Sequence, residues 1–169
     1  MNKKVNPFDH SREITEALPG GLLLTTAADG KVNTMTIGWG ALGTDWNKPM
    51  FTALVRESRY TRELLDRNPE FTVNIPYGEF DRRILGFCGS KSGRDTDKIK
   101  ELGLTPVSSD IVSVPGIKEL PLTLECRVVA RQKQEPSLID ERYRAMFYPA
   151  PVDAHIMYFG EIVNTYIAE

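Results

Sequence analysis

Apolar and polar residues alternate with a period of two through much of this chain, and those stretches predict strands. Leu22 to Ala28 and Lys31 to Gly43 read as two strands joined by Asp29-Gly30, a pair that tolerates the positive φ angles of a tight hairpin turn. In the second strand Asn33, Met35, Ile37 and Trp39 share one face, while Val32, Thr34, Thr36, Gly38 and Gly40 share the other, so one face is bulky and the other small. Met50 to Val55, Phe71 to Ile75, Leu122 to Ala130 and His155 to Ala168 supply further strands. Helical spacing appears at Tyr60 to Asn68, ended by Pro69, at Phe80 to Phe87, and at Thr96 to Leu102, capped by Asp95 or Thr96 and closed by Gly103. Gly89 to Arg94 reads as a loop. Gln134 to Asp153 breaks the pattern, with Pro136, Pro149 and Pro151 around a helical Leu138 to Phe147, and is expected to be an insertion between two paired strands.

Strands in this number, separated by only short helices, predict an antiparallel barrel rather than a doubly wound sheet. The expected class is mainly β with peripheral helices, in one domain spanning residues 1–169. With 41% hydrophobic residues in 169, the chain can build a core without a metal or disulfide staple.

The charge balance, 21 basic against 23 acidic residues, gives a net charge of −2, and successive basic residues never exceed a pair. That removes the main attraction for nucleic acid. No apolar run is long enough to span a bilayer, so no membrane partner is expected. The first ten residues lack the apolar stretch of a secretory signal, and the expected compartment is the cytoplasm. Cys88 and Cys126 form no metal or disulfide pattern and read as reduced, buried thiols, while His10 and His155 alone make a dedicated metal site unexpected. A Cys88 nucleophile with His155 as its base is conceivable, but an isolated pair of this kind is ordinarily structural.

Gly38-Trp-Gly40-Ala-Leu-Gly43 has the letters of a dinucleotide fingerprint. It runs into a turn ending at Pro49, so no helix opens there to receive a phosphate. Arg56-Glu-Ser-Arg-Tyr-Thr61 is a better anion site, because two guanidinium groups and two hydroxyls stand at the start of a helix. The competing reading makes Ser58 a simple helix cap with both arginines solvated. Ser90, Lys91, Ser92 and Arg94 in the glycine loop add a second polar, basic segment, and the two together favour a phosphorylated ligand.

Five stretches, Val32 to Trp39, Arg56 to Thr61, Phe71 to Pro76, Cys88 to Lys98 and Gly160 to Val163, resemble in order the flavin reductase-like, FMN-binding split-barrel family, which includes flavoredoxin. The resemblance runs from about residue 20 to the end of the chain. It implies a six-stranded Greek-key barrel, a homodimer, and FMN near the subunit interface. It places Asn33, Met35, Thr36, Ile37 and Trp39 along the ring and ribityl chain. Arg56, Ser58, Tyr60 and Thr61 fall at the phosphate end, Lys98 after Ser92 as a further flavin contact, and His155 near the ring. A cation beside N1 and O2 of the ring would stabilise its reduced anion. The implied activity is an oxidoreductase passing electrons from NAD(P)H or a protein donor through FMN to a small acceptor. The alternatives are an electron carrier between protein partners and a barrel that binds no flavin. The segment Gln134 to Asp153 exceeds the hairpin link of compact members, so donor and acceptor do not carry over.

Overall fold

The structure is a computed structural model, and it describes residues 2–169. Its strands and helices run β1 (Asn2–Lys4), α1 (Ser11–Ala17), β2 (Leu22–Ala28), β3 (Lys31–Ile37), β4 (Gly40–Asp45), β5 (Lys48–Arg56), α2 (Tyr60–Arg67) and β6 (Glu70–Ile75). They continue with α3 (Arg83–Ser90), α4 (Lys98–Leu102), β7 (Pro106–Val107), β8 (Gly116–Ile117), β9 (Leu122–Lys133), α5 (Glu141–Phe147) and β10 (His155–Ala168).

The hairpin expected at Asp29-Gly30 forms, with φ of 52° and 75° at its two turn residues, and pairs Leu22 with Ile37 through Ala28 with Lys31. The strand expected over 31–43 is two strands. It breaks at Gly38-Trp39, after which β4 leaves β2 and pairs with β5. Gly40 permits this, since a Cβ there would stand 2.7 Å from the Thr52 carbonyl oxygen.

The sheet order is β3-β2-β6-β9-β10-β5-β4, with β1 also paired to β10. Its two edges, β3 and β4, are consecutive in the chain, so Gly38-Trp39 joins the edges covalently where no ladder joins them. The result is a split barrel. It has eight strands instead of the expected six because the second strand divides and Asn2–Lys4 adds to β10.

Leu22, Leu24, Ile37, Phe51, Phe71 and Leu124 pack inside the barrel. Gly160 makes room for Phe71, because a Cβ on it would lie 2.4 Å from Phe71 Cζ. A second cluster lies outside, where Leu23 meets Ile84 and Cys88 of α3 together with Leu104, Ile117 and Leu120. The small outer face of β3 lets α3 come close. Thr36 Oγ1 donates to the Leu85 carbonyl at 2.6 Å, and a Cβ on Gly89 would be 3.4 Å from Thr36 Cβ.

Two helices are displaced from expectation. The helix expected over 80–87 occupies 83–90, because the Asp81 carboxylate accepts from the Arg83 amide at 3.0 Å and starts it there. It therefore takes in Gly89 and Ser90, and the loop narrows. The helix expected from Thr96 begins at Lys98, capped by Asp97 on the Lys100 amide at 3.1 Å, and Gly103 closes it with φ of 61°. The segment 134–153 joins the antiparallel neighbours β9 and β10 and carries α5 with a short 3-10 turn at Pro136–Leu138. No helix among the described residues is long and apolar enough to cross a membrane.

Candidate functional site

Two clefts follow β3. The first, about 100 Å³, lies where Asn33 and Met35 face the start of α2, the end of α3 and Lys98. The second, about 190 Å³, lies between Met35 to Trp39 and the ends of β5 and β10. Met35 and Arg59 line both clefts. Asn33 and Ile37 are about 13 Å apart along the strand, so the two clefts make one elongated groove.

The first cleft gathers a buried cation and unmatched hydrogen-bond donors. Lys98 is 4% exposed, and its ammonium reaches only the carbonyls of Lys91 and Cys88, at 3.2 and 3.4 Å. Burial lowers its pKa from the ordinary lysine value. The Cys88 thiol is itself pushed up to about 11 by burial, so it is neutral and leaves the ammonium uncompensated. A third ammonium proton is free to donate.

At the start of α2, Arg59 is extended (φ −74°, ψ 140°) and no side chain caps the helix. Ser58 is not the cap. Its amide and hydroxyl donate to Asp153 at 3.1 and 2.6 Å, and with the Arg62 amide donating to the Arg59 carbonyl at 3.1 Å, the Tyr60 and Thr61 amides are left to an acceptor from outside. Thr61 Oγ1 accepts from Asn33 Nδ2 at 3.0 Å and keeps its own proton to donate. Gly93 keeps the cleft open: a Cβ there would stand 2.0 Å from Asn33 Oδ1 and 2.9 Å from Tyr60 Cδ1. Ser92 Oγ accepts from the Arg94 amide at 3.2 Å. Arg94 is engaged, donating to the Ser58 carbonyl and pairing with Glu63, whose carboxyl it holds below the usual range.

The second cleft is aromatic. The Trp39 ring lies 5.0 Å from both the His155 and Phe147 rings and remains 38% exposed. His155 Nδ1 is 2.8 Å from the Tyr148 hydroxyl, which also donates to Gln134 Oε1 at 2.7 Å. With the tyrosine proton committed to Gln134, its oxygen accepts from Nδ1–H, and Nε2 is left as an acceptor. Burial, then the charge of Arg56, lowers the His155 pKa to about 4, so the ring is neutral.

Arg56 lies away from the anion end, where the resemblance puts it. Arg56 sits in the second cleft, because the register of β5 on β10 sets it directly opposite His155. Its guanidinium donates to the carbonyls of Asp153 and Phe147 at 2.7 and 3.0 Å. Lys98, expected as a further flavin contact, sits with Ser58 and Thr61. The other expected residues divide the same way. Asn33, Ser58, Tyr60, Thr61 and Ser92 line the first cleft, Thr36, Ile37, Trp39 and His155 the second, and Met35 both. The Cys88 and His155 pairing does not form, since each lines a different cleft. Sequence reasoning missed Tyr148, Gln134 and Asp153, which lie in a segment without periodicity. It gave no separate role to Arg59, an exposed guanidinium with no ion-pair partner among the described residues.

Residues 15–169 match the family model described as the flavin reductase like domain, and the chain belongs to that family. It is similar in structure to flavoredoxin from Methanosarcina acetivorans, with 31% identity and a TM-score of 0.66 over 88% of this chain and 68% of that one. The FMN-binding domain of a flavin reductase-like enzyme from Shewanella baltica shares the fold, with a TM-score of 0.70 at 16% identity over 99% of this chain and 77% of that one. An uncharacterized protein of Archaeoglobus fulgidus is 36% identical over 99 residues, or 59% of this chain. The chain spans 55% of the length of that relative.

Proposed function

We propose that this chain binds FMN along β3 and passes reducing equivalents from NAD(P)H or a protein donor to a small acceptor. The observation that carries the reading is the groove itself, with an unmatched buried ammonium and an uncapped helix start at one end and Trp39 with His155 at the other. An elongated ligand with an anionic tail and a planar aromatic head satisfies both ends. The residues present therefore fit FMN.

In this reading Lys98, the Tyr60 and Thr61 amides at the start of α2 and the Thr61 hydroxyl take the phosphate, with Arg59 free to close over it. Asn33 holds Thr61, and Gly93 leaves the tail its room. Trp39 gives the ring an apolar wall, and neutral His155 offers Nε2 as an acceptor, held by Tyr148 and Gln134. Arg56, fixed by two carbonyls, supplies the positive charge at the ring end. Bound FMN supplies the hydride and electron chemistry.

The likeness to flavoredoxin favours a second reading, an electron carrier between protein partners. Mixing the FMN-loaded protein with NADH or NADPH without oxygen separates the two. Bleaching of the flavin within seconds supports the oxidoreductase, and flavin that stays oxidised until a chemical reductant is added supports the carrier. The homodimer implied by the resemblance belongs to the same proposal, tested by sedimentation. So does a cytoplasmic site of action, with Cys88 and Cys126 both free and buried.

A further inference from the structure

We propose that the segment 134–153 makes His155 the proton acceptor of the ring end: Gln134, acting through Tyr148, keeps Nε2 of the imidazole bare, and reduction of a flavin lying beside it draws a proton from water onto that nitrogen. The inference rests on the flavin reading above and deepens it. It gives a chemical role to a segment whose sequence reads only as an insertion between two strands. His155 is buried and lines the second cleft. Its Nδ1 is taken by Tyr148, and Nε2 meets no hydrogen-bond partner among the described residues, so Nε2 is the polar atom it offers to whatever fills that cleft.

The direction of the hydrogen bonds decides which nitrogen is bare. His155 Nδ1, the Tyr148 hydroxyl and Gln134 Oε1 form a chain with steps of 2.8 and 2.7 Å. The amide oxygen of Gln134 can only accept, so the single hydroxyl proton of Tyr148 points to it, and the Tyr148 oxygen accepts from Nδ1–H. Gln134 is therefore a positioning residue, lining neither the first cleft nor the second. Its backbone amide also donates to the His155 carbonyl at 2.9 Å, which fixes the two residues side by side.

The charges around the imidazole keep it neutral until the ring gains electrons. Burial and then Arg56, opposite it on β5, hold its pKa down at about 4, Asp153 acts against them, and Arg59 at the start of α2 acts with them. Lys133 on β9 is paired with Glu57 at 2.9 Å. A negative charge created on the ring reverses this balance, because Coulomb attraction is several times stronger in a site shielded from water than in bulk. In the step itself, two electrons and one proton reach the ring, together as a hydride from NAD(P)H or separately from a protein donor and water. The donor leaves oxidised and the ring is left an anion, favoured by the charge of Arg56 over a ring that takes the second proton itself. That second proton passes from water to His155 Nε2. When a small acceptor takes the hydride, His155 gives it the proton, and both groups return to their starting states.

The test has two parts. Nitrogen NMR of the ligand-free protein at pH 7 reads the tautomer of His155, with His155→Gln assigning its signals. Nδ1 is expected to carry the proton in the wild type and in Gln134→Glu, whose carboxylate also accepts from Tyr148. Gln134→Leu is expected to move the proton to Nε2, because the Tyr148 hydroxyl then turns to Nδ1. A wild type with Nε2 protonated, or a Gln134→Leu variant with the wild-type tautomer, overturns the inference. Redox titration of the FMN-loaded protein from about pH 5 to about pH 7 then counts the protons taken up with each pair of electrons. Two are expected in the wild type and one in His155→Gln and Gln134→Leu, so that the fall of the midpoint potential with pH halves in both variants. A wild type that takes up one proton, or a second proton that persists in His155→Gln, overturns the inference and leaves the flavin reading intact. A wild type that binds no FMN instead strikes the reading on which the inference rests.

Discussion

Replacing Lys98 by Met separates the needs of the fold from those of the ligand. The ammonium is buried beside two carbonyls and a neutral thiol, with no carboxylate to offset its desolvation. Its pKa lies below the ordinary value, so the unfolded chain binds the proton more tightly than the folded one. The fold is thus penalised below the folded pKa, and the penalty fades as pH rises through it. Met fills similar space without the charge, so the ligand-free protein at pH 7 is expected to melt at the same temperature or higher. FMN then loses one charge-assisted hydrogen bond, about 1.5 to 3 kcal/mol, or roughly 10- to 150-fold in Kd. Riboflavin has no phosphate and is expected to bind within about twofold of its wild-type affinity. Fluorescence titrations with both flavins and a thermal melt of the ligand-free protein measure all three quantities. Equal losses for FMN and riboflavin, or a variant that melts several degrees lower, refute the reasoning.

The remaining predictions concern groups around and beneath the groove. His155 is held near a pKa of about 4, against an ordinary 6.5, so stability is whole above 6.5 and falls by up to about 3 kcal/mol as pH drops to 4. His155→Gln removes that slope in urea unfolding measured across the range, and a slope that survives the substitution locates its source elsewhere. Gly93→Ala forces Asn33 off Thr61, costing the fold about 1 kcal/mol and weakening FMN tenfold or more. Unchanged FMN affinity in a titration would show that the tail does not pass there. Glu125 is wholly buried and accepts the amides of Asp110, Ile111 and Val112 and the side chain of Asn164. Glu125→Gln turns a donor toward these donors and is expected to cost roughly 2 to 4 kcal/mol in chemical unfolding, so a loss under about 0.5 kcal/mol contradicts the anchor.

Much of the barrel was legible because its strands alternate and its first turn has a sequence signature. The hairpin, β6 and the paired β9 and β10 lie where periodicity put them. The break at Gly38-Trp39 carried no local signal, since both halves keep the same alternation, and only the pairing of β4 with β5 divides them. Helix α1 was not legible for a related reason. Ile14 is its one buried residue, too little to make a helical stripe. Glu125 shows the opposite failure: an acid on the polar face of a strand reads as solvated, yet a loop folds over it and feeds it backbone amides. At the site, residue types at the right spacing marked the residues that line the groove but not where Arg56 lies within it. Arg56 and Lys98 are positioned by the register of β5 on β10 and by the way α4 begins, neither of which local spacing reveals. Tyr148 and Asp153 were invisible because their segment has no period, and tertiary contacts alone bring them to His155 and Ser58.

Crystals grown with FMN test the central claim most directly. The account requires the phosphate within hydrogen-bonding distance of Lys98 Nζ and the Thr61 hydroxyl, and the ring beside Trp39 and His155. A phosphate bound away from Lys98, a reversed ligand, or a groove that stays empty at saturating FMN contradicts it.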